Sequence, residues 1–383
     1  MHRTPARPMT RWLSSLALVV AVFSLPACAP DRPIRATPSA RHEGRPSLTR
    51  EGRRAFIRRA QVWQATNVSA MNLRLGPEGK GAFPPGATVT CDYVERQLPG
   101  SSPKFECRTE AGDVVKVRYG ETNGEVEGSV LATRLLWALG FGADRVYPVH
   151  VICRGCSPDP WSMPERDPQS SNLFDLAAIE RKPEGTEMRA QWGSGWAWPE
   201  LDSIDEAEGG APRAHRDALI LLAVFMQHSD NKTDQQRLVC LPHGLTEIGG
   251  CDRPFMALHD VGLTFGRGTF LNRAETSSVN FVEWARTPVW RNRRTCEGHL
   301  DMSYSGTLHN PKIGESGRAF LADLLEQLTD AQLRDLFEVA RVERRSRRPD
   351  GHGASFSATV DEWVAAFKQK RLEVVANRCP HRG

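Results

Sequence analysis

The sequence predicts an α+β protein in two lobes, on two observations. Its first half carries alternating, strand-like segments around one helix, and its second half is dominated by helical apolar spacing. The order is strands first and helices afterwards, without the strand–helix alternation of a parallel α/β sheet. About 330 residues remain after the leader and tether described next, enough for two lobes with a large shared core.

The chain opens with Arg3, Arg7 and Arg11 before the apolar run "WLSSLALVVAVFSL". Roughly fourteen residues suit a signal-peptide core and are short for a membrane span. The run closes on "LPAC", with Ala27 before Cys28, which resembles the lipobox of bacterial lipoproteins. The resemblance implies that residues 1–27 are removed and that Cys28 is lipidated, anchoring the chain to a membrane; Ala29 then implies the outer one in a cell with two. An ordinary signal peptide or an uncleaved anchor is the competing reading. Losing the three arginines lowers the net charge from +4 to about +1, which gives no argument for nucleic acid as a partner. Residues 28–60, rich in Arg, Pro and Ser, read as a disordered tether.

The body divides into residues 61–180 and 181–383. In the first part "TVTCDYVERQ" and "KFECRTEAGDVVKVRYG" alternate as strands, with "EAGD" a turn. "EGSVLATRLLWALG" has helical spacing, and Gly140 suits its C-cap. "VYPVHVIC" returns to strand, residues 153–175 read as a loop, "FDLAAIERK" as a further strand, and Glu180 to Gly185 as a connector. "QWGSGWAWPELD" holds three tryptophans, either a ligand platform or, more commonly, irregular buried packing. "HRDALILLAVFMQH" is a strong helix, followed by strands "QRLVCLPHG" and "PFMALHDVG" and a long polar region. The helices "SGRAFLADLLEQL", "TDAQLRDLFEVARV" and "TVDEWVAAFKQKRLEVV" end the chain, the second opening with Thr329 and Gln332 at capping-box spacing.

Nine cysteines less Cys28 leave eight, an even number suited to an oxidising compartment. Sequence proximity pairs Cys91 with Cys107, Cys153 with Cys156, Cys240 with Cys251, and Cys296 with Cys379. His150, Cys153 and Cys156 also have metal-like spacing, but no fourth zinc ligand is evident, and a disulfide is preferred.

The chemistry gathers at "HSDNKTDQ", residues 228–235, which resembles the catalytic loop H-x-D-x-K-x-x-N of protein kinases, with Gln235 in place of Asn. "LHDVG", with Asp260, resembles the D-F-G element, Val261 replacing Phe. Upstream, "DVVKV" offers Lys116 in a strand, and the following helix offers Glu125 and Glu127. No glycine-rich loop is present; Gly100, in "LPGSSPK", is the nearest substitute. The resemblance covers roughly residues 88–345 and implies a divergent, secreted or atypical kinase-like fold using ATP and magnesium. Lys116 is expected on the nucleotide phosphates, paired with Glu127 or Glu125. Asp230 is expected to orient and deprotonate an acceptor hydroxyl, with Lys232 neutralising the moving phosphoryl group. Asp260 and Gln235 are the expected magnesium ligands. A literal "HRD" at residues 215–217 runs straight into a helix interior and is set aside. Taken singly, each of these residues also suits an ordinary solvent-facing, turn or helix-end position. The implied activity is phosphoryl transfer to an unidentified acceptor. The alternatives are an inactive, pseudokinase-like binding lipoprotein and a metal-binding protein built on His150 and the CxxC.

Overall fold

The computed structural model describes residues 47–190, 193–247, 249–266, 278–301, 306–346 and 358–380. The leader, Cys28 and Trp192 lie outside the described residues. No helix among the described residues is long and apolar enough to cross a membrane.

The expected tether ends earlier than residue 60. Strand β1 (Ser47–Leu48) pairs in parallel with β7 (Thr186–Ala190), and α1 (Arg50–Arg58) follows directly. The Thr49 hydroxyl caps α1 by accepting from the Gly52 amide at 3.0 Å, and Phe56 and Ile57 are buried beneath it. Two apolar residues two turns from a good N-cap are enough to dock a segment whose overall composition is polar.

Five strands close a barrel in the order β2 (Thr88–Val94), β3 (Lys104–Thr109), β4 (Val114–Tyr119), β6 (Ser171–Arg181), β5 (Arg145–Arg154). The parallel β2–β5 pair completes it, and β6 begins within the expected loop, leaving residues 155–170 as the connection. The barrel has its own core, with Tyr93, Phe105, Val117 and Phe174 among the inward residues. Between β4 and β5 runs α2 (Glu125–Ala138), buried on nearly every side, as expected of a helix lacking a polar face.

A second core joins α2 to the C-terminal helices. It packs α3 (Arg213–Met226) on α5 (Glu315–Glu326), with α6 (Asp330–Val339) and α8 (Val360–Ala376) behind. The sheet β1–β7–β8–β9, with β8 (Gln236–Cys240) and β9 (Pro254–Leu258), lies against it. The polar region carries α4 (Phe281–Arg286), β10 (Trp290–Asn292) and β11 (Glu297–Gly298), and α7 (Val342–Ser346) follows α6. The Thr329–Gln332 capping box forms as its spacing predicts. Trp196 and Trp198 are packed inside, ring centroids 5.2 Å apart, and so do not form a platform open to solvent.

All four expected cysteine pairs lie at disulfide distance, with Cα separations of 5.5 to 5.7 Å. The His150 ring instead meets Asp175 at 2.6 Å. Asp217 of the literal "HRD" also finds a structural role, accepting from the Gly314 amide at 2.8 Å where α5 begins.

Candidate functional site

Alternation along β4 sends Val115, Val117 and Tyr119 into the barrel and leaves Lys116 and Arg118 on its outer face. Lys116 lies opposite Glu180 of β6 in register, and their side chains pair at 2.5 Å. The expected pairing of Lys116 with Glu127 or Glu125 is therefore not formed. Arg118 takes the helix contact instead: it is fully buried and bonds Glu125 of α2, Asp260 after β9, and Glu180 at 3.3 Å. Burial opposes its charge, but the three carboxylates outweigh that and raise its pKa above the ordinary arginine value. Glu127 is buried two residues further along α2 and does not line the cleft described below.

Close backbone approach brings α2 to Asp260. A Cβ on Gly128 would stand 2.2 Å from the Gly262 carbonyl oxygen, and one on Gly262 would stand 2.8 Å from Glu125 Cβ. Asp260 itself has a positive φ of 32°. Burial pushes its carboxyl upward, but Arg118, Lys116 and His259 pull its pKa down to about 2.

The segment after α3 is fastened by Asn231, whose amide donates to the carbonyls of His228 and Leu308 and accepts from the Thr307 and Leu308 amides. Asp230 then meets Lys232 at 3.0 Å and accepts from Gln235 Nε2 at 2.6 Å. Gln235 Oε1 accepts from the Lys232 amide at 3.1 Å. His228 is fully buried, and neither ring nitrogen has a hydrogen-bond partner among the described residues. Burial lowers its pKa to about 4, against the pull of Asp230 and Asp260.

These elements enclose a cleft of about 300 Å³ lined by Gly100, Lys116, Asp230, Lys232, Gln235 and Asp260, all expected from sequence. Lys104, Glu125 and His259 also line it and were not singled out as cleft residues, apart from Glu125 as a partner for Lys116. Behind His259, Asp144 accepts from its Nδ1 at 2.6 Å and holds Arg237 at 2.9 Å. A larger cavity of about 480 Å³ is lined by Trp137, Phe141 and Phe255, and shares none of the cleft residues, though Asp144 forms part of its wall. Converging acids and bases, rather than volume, mark the smaller cleft as the candidate site.

Magnesium would require free oxygens from Asp260 and Gln235. One Asp260 oxygen is bonded to Arg118 and the Gln235 oxygen accepts from a backbone amide, so of the expected pair the second Asp260 oxygen alone faces an ion, and the two-residue magnesium site that the sequence implies is not formed.

The molecule is thus an α+β protein whose cleft combines lysines with carboxylates. No protein-family model and no curated protein matches the chain. It is distantly similar to the crystal structure of a proinflammatory kinase, CtkA, of Helicobacter pylori, with a TM-score of 0.41 and 7% identity over 76% of this chain and 96% of that one. So low a score and identity decide nothing about chemistry.

Proposed function

We propose that the chain is a cell-envelope lipoprotein, anchored through Cys28, whose kinase-like cleft binds a nucleotide by its phosphates and transfers a phosphoryl group to an acceptor hydroxyl. The observation that supports this most is convergence: Gly100, Lys116, Asp230, Lys232, Gln235 and Asp260, from parts of the chain far apart in sequence, line one cleft of about 300 Å³. In this reading Lys116 and Lys232 hold phosphate oxygens, and Asp230 orients the hydroxyl and accepts its proton. No step is assigned to magnesium.

A second reading, ligand binding without transfer, is favoured by the engagement of one Asp260 oxygen and the Gln235 oxygen. Thermal unfolding of the body from Gly44 onward, with and without ATP and magnesium, tests the common part of both. A ligand at one hundred times its dissociation constant stabilises by roughly 2.7 kcal/mol, worth several degrees. Incubation with γ-labelled ATP then separates them: label on protein or released phosphate, lost in Asp230→Asn, supports transfer. A shift without label supports binding alone, and no shift with any nucleotide removes both.

A further inference from the structure

Lys104 opens β3 and lines the cleft, yet more than nine-tenths of the residue is buried. The cleft's other cations have carboxylate partners: Lys116 has Glu180, Lys232 has Asp230, and Arg118 behind them has three. Among the described residues no carboxylate lies within ion-pair distance of Lys104. Its ammonium instead sits over the Trp161 ring at 5.4 Å and against Gly100, where a Cβ would stand 2.4 Å from Nζ. Gly100 has φ +112°, so the "LPGSSPK" loop holds open the space that this ammonium fills. Burial, with the neighbouring Arg118, lowers the Lys104 pKa and outweighs the pull of Asp260 and Glu125, which lie beyond ion-pair distance.

The site therefore has a buried cation with no carboxylate in contact, while one Asp260 oxygen and the Gln235 oxygen, both expected to take a metal, have protein partners. We propose that the cleft binds polyphosphate without a divalent cation, with Lys104 as the phosphate-holding group beside the Gly100–Ser102 loop. This rests on the reading above that the ligand carries phosphates, but it changes what that ligand brings with it. Lys104 does from a strand what the absent glycine-rich loop would do with backbone amides, and Arg118 supplies at Asp260 the positive charge that a metal would bring.

Calorimetric titration of the full chain with ATP and with inorganic tripolyphosphate, each in excess EDTA and in excess magnesium, tests it. The expected result is binding in EDTA within about threefold of that in magnesium, weakened at least about tenfold by Lys104→Gln and partly restored by Lys104→Arg. Melting curves of both variants confirm that they fold. Binding that requires magnesium overturns the proposal, as does EDTA binding that Lys104→Gln leaves unchanged. Tripolyphosphate binding in EDTA without ATP binding sustains it while removing the nucleotide from the proposed function. Failure of both ligands in both buffers overturns the two together.

Discussion

The two faces of the cleft organise their charges differently. On the loop after α3, Asp230, Lys232 and Gln235 satisfy one another within six consecutive residues. On the barrel face, Arg118 joins β4 to α2, β6 and the segment after β9, and Arg237 joins β8 to Asp144 and Glu187. The loop is a local unit with partly exposed charges, whereas the barrel face is a buried network that exists only when distant elements are assembled. Substitutions on the barrel face should therefore be read first in stability, and those on the loop first in ligand binding.

The sharpest test is Arg118→Met. Removing one member of a buried ion network leaves the others uncompensated, and costs about 3–5 kcal/mol. Urea unfolding should show that loss for Arg118→Met and a far smaller one for Asp230→Asn. Equal losses would break the distinction between the two faces.

Acid titrates His228, a deeply buried group beneath the loop. His228 has a folded pKa of about 4, below the unfolded value of 6.5, so the unfolded chain takes up a proton first as pH falls. The His228 contribution should fall by about 3 kcal/mol between pH 6.5 and 4 and level off below that. Asp260, with a folded pKa of about 2 against 3.8 unfolded, adds a loss that begins only below pH 3.8. His228→Phe should remove most of the loss in the first interval, leaving the smaller part from half-buried His215, whose pKa burial also lowers, and should leave the second, as followed by denaturant midpoints across the range. An undiminished slope in His228→Phe would place the main titrating group elsewhere.

The loop was the legible face. Asp230, Lys232 and Gln235 lie close together in sequence, so their spacing announces them, and Asp260 follows a strand of recognisable pattern. The barrel face was harder because a strand's partners depend on register. Lys116 was readable as a cation in a strand, but its partner Glu180 comes from β6, more than sixty residues away. Arg118 left one trace, being the second cation on the outer face of "VVKVRY", two residues after Lys116. Lys104 left less, since a lysine at a strand's first position is ordinary until Gly100 is placed against it. The early end of the tether was missed for another reason: composition averaged over thirty residues hides the two apolar side chains that dock α1.

Gly100→Ala probes where the two faces meet. Its positive φ disfavours any side chain, and the added methyl would occupy the Lys104 ammonium's place. Strain of this kind costs about 1–3 kcal/mol. The melting temperature should fall modestly, while phosphate affinity in EDTA falls at least as far as in Lys104→Gln. Retained affinity would show that Lys104 can bind from another position and that the loop is not its support.

The smallest effect belongs to the loop itself. Lys232 and Asp230 meet at 3.0 Å, but the lysine side chain is 37% exposed, so solvent and salt screen the pair. A double-mutant cycle with Lys232→Met and Asp230→Asn should return a coupling below about 1 kcal/mol, shrinking further in high salt. The corresponding cycle for Lys116 and Glu180, where the carboxylate is 7% exposed, should give the larger and less salt-sensitive value. Burial and the closer contact, 2.5 Å against 3.0 Å, both point to that ordering. If the loop pair couples as strongly as the barrel pair, its charges are as well shielded as those of the network opposite, and binding and stability cannot be separated by face.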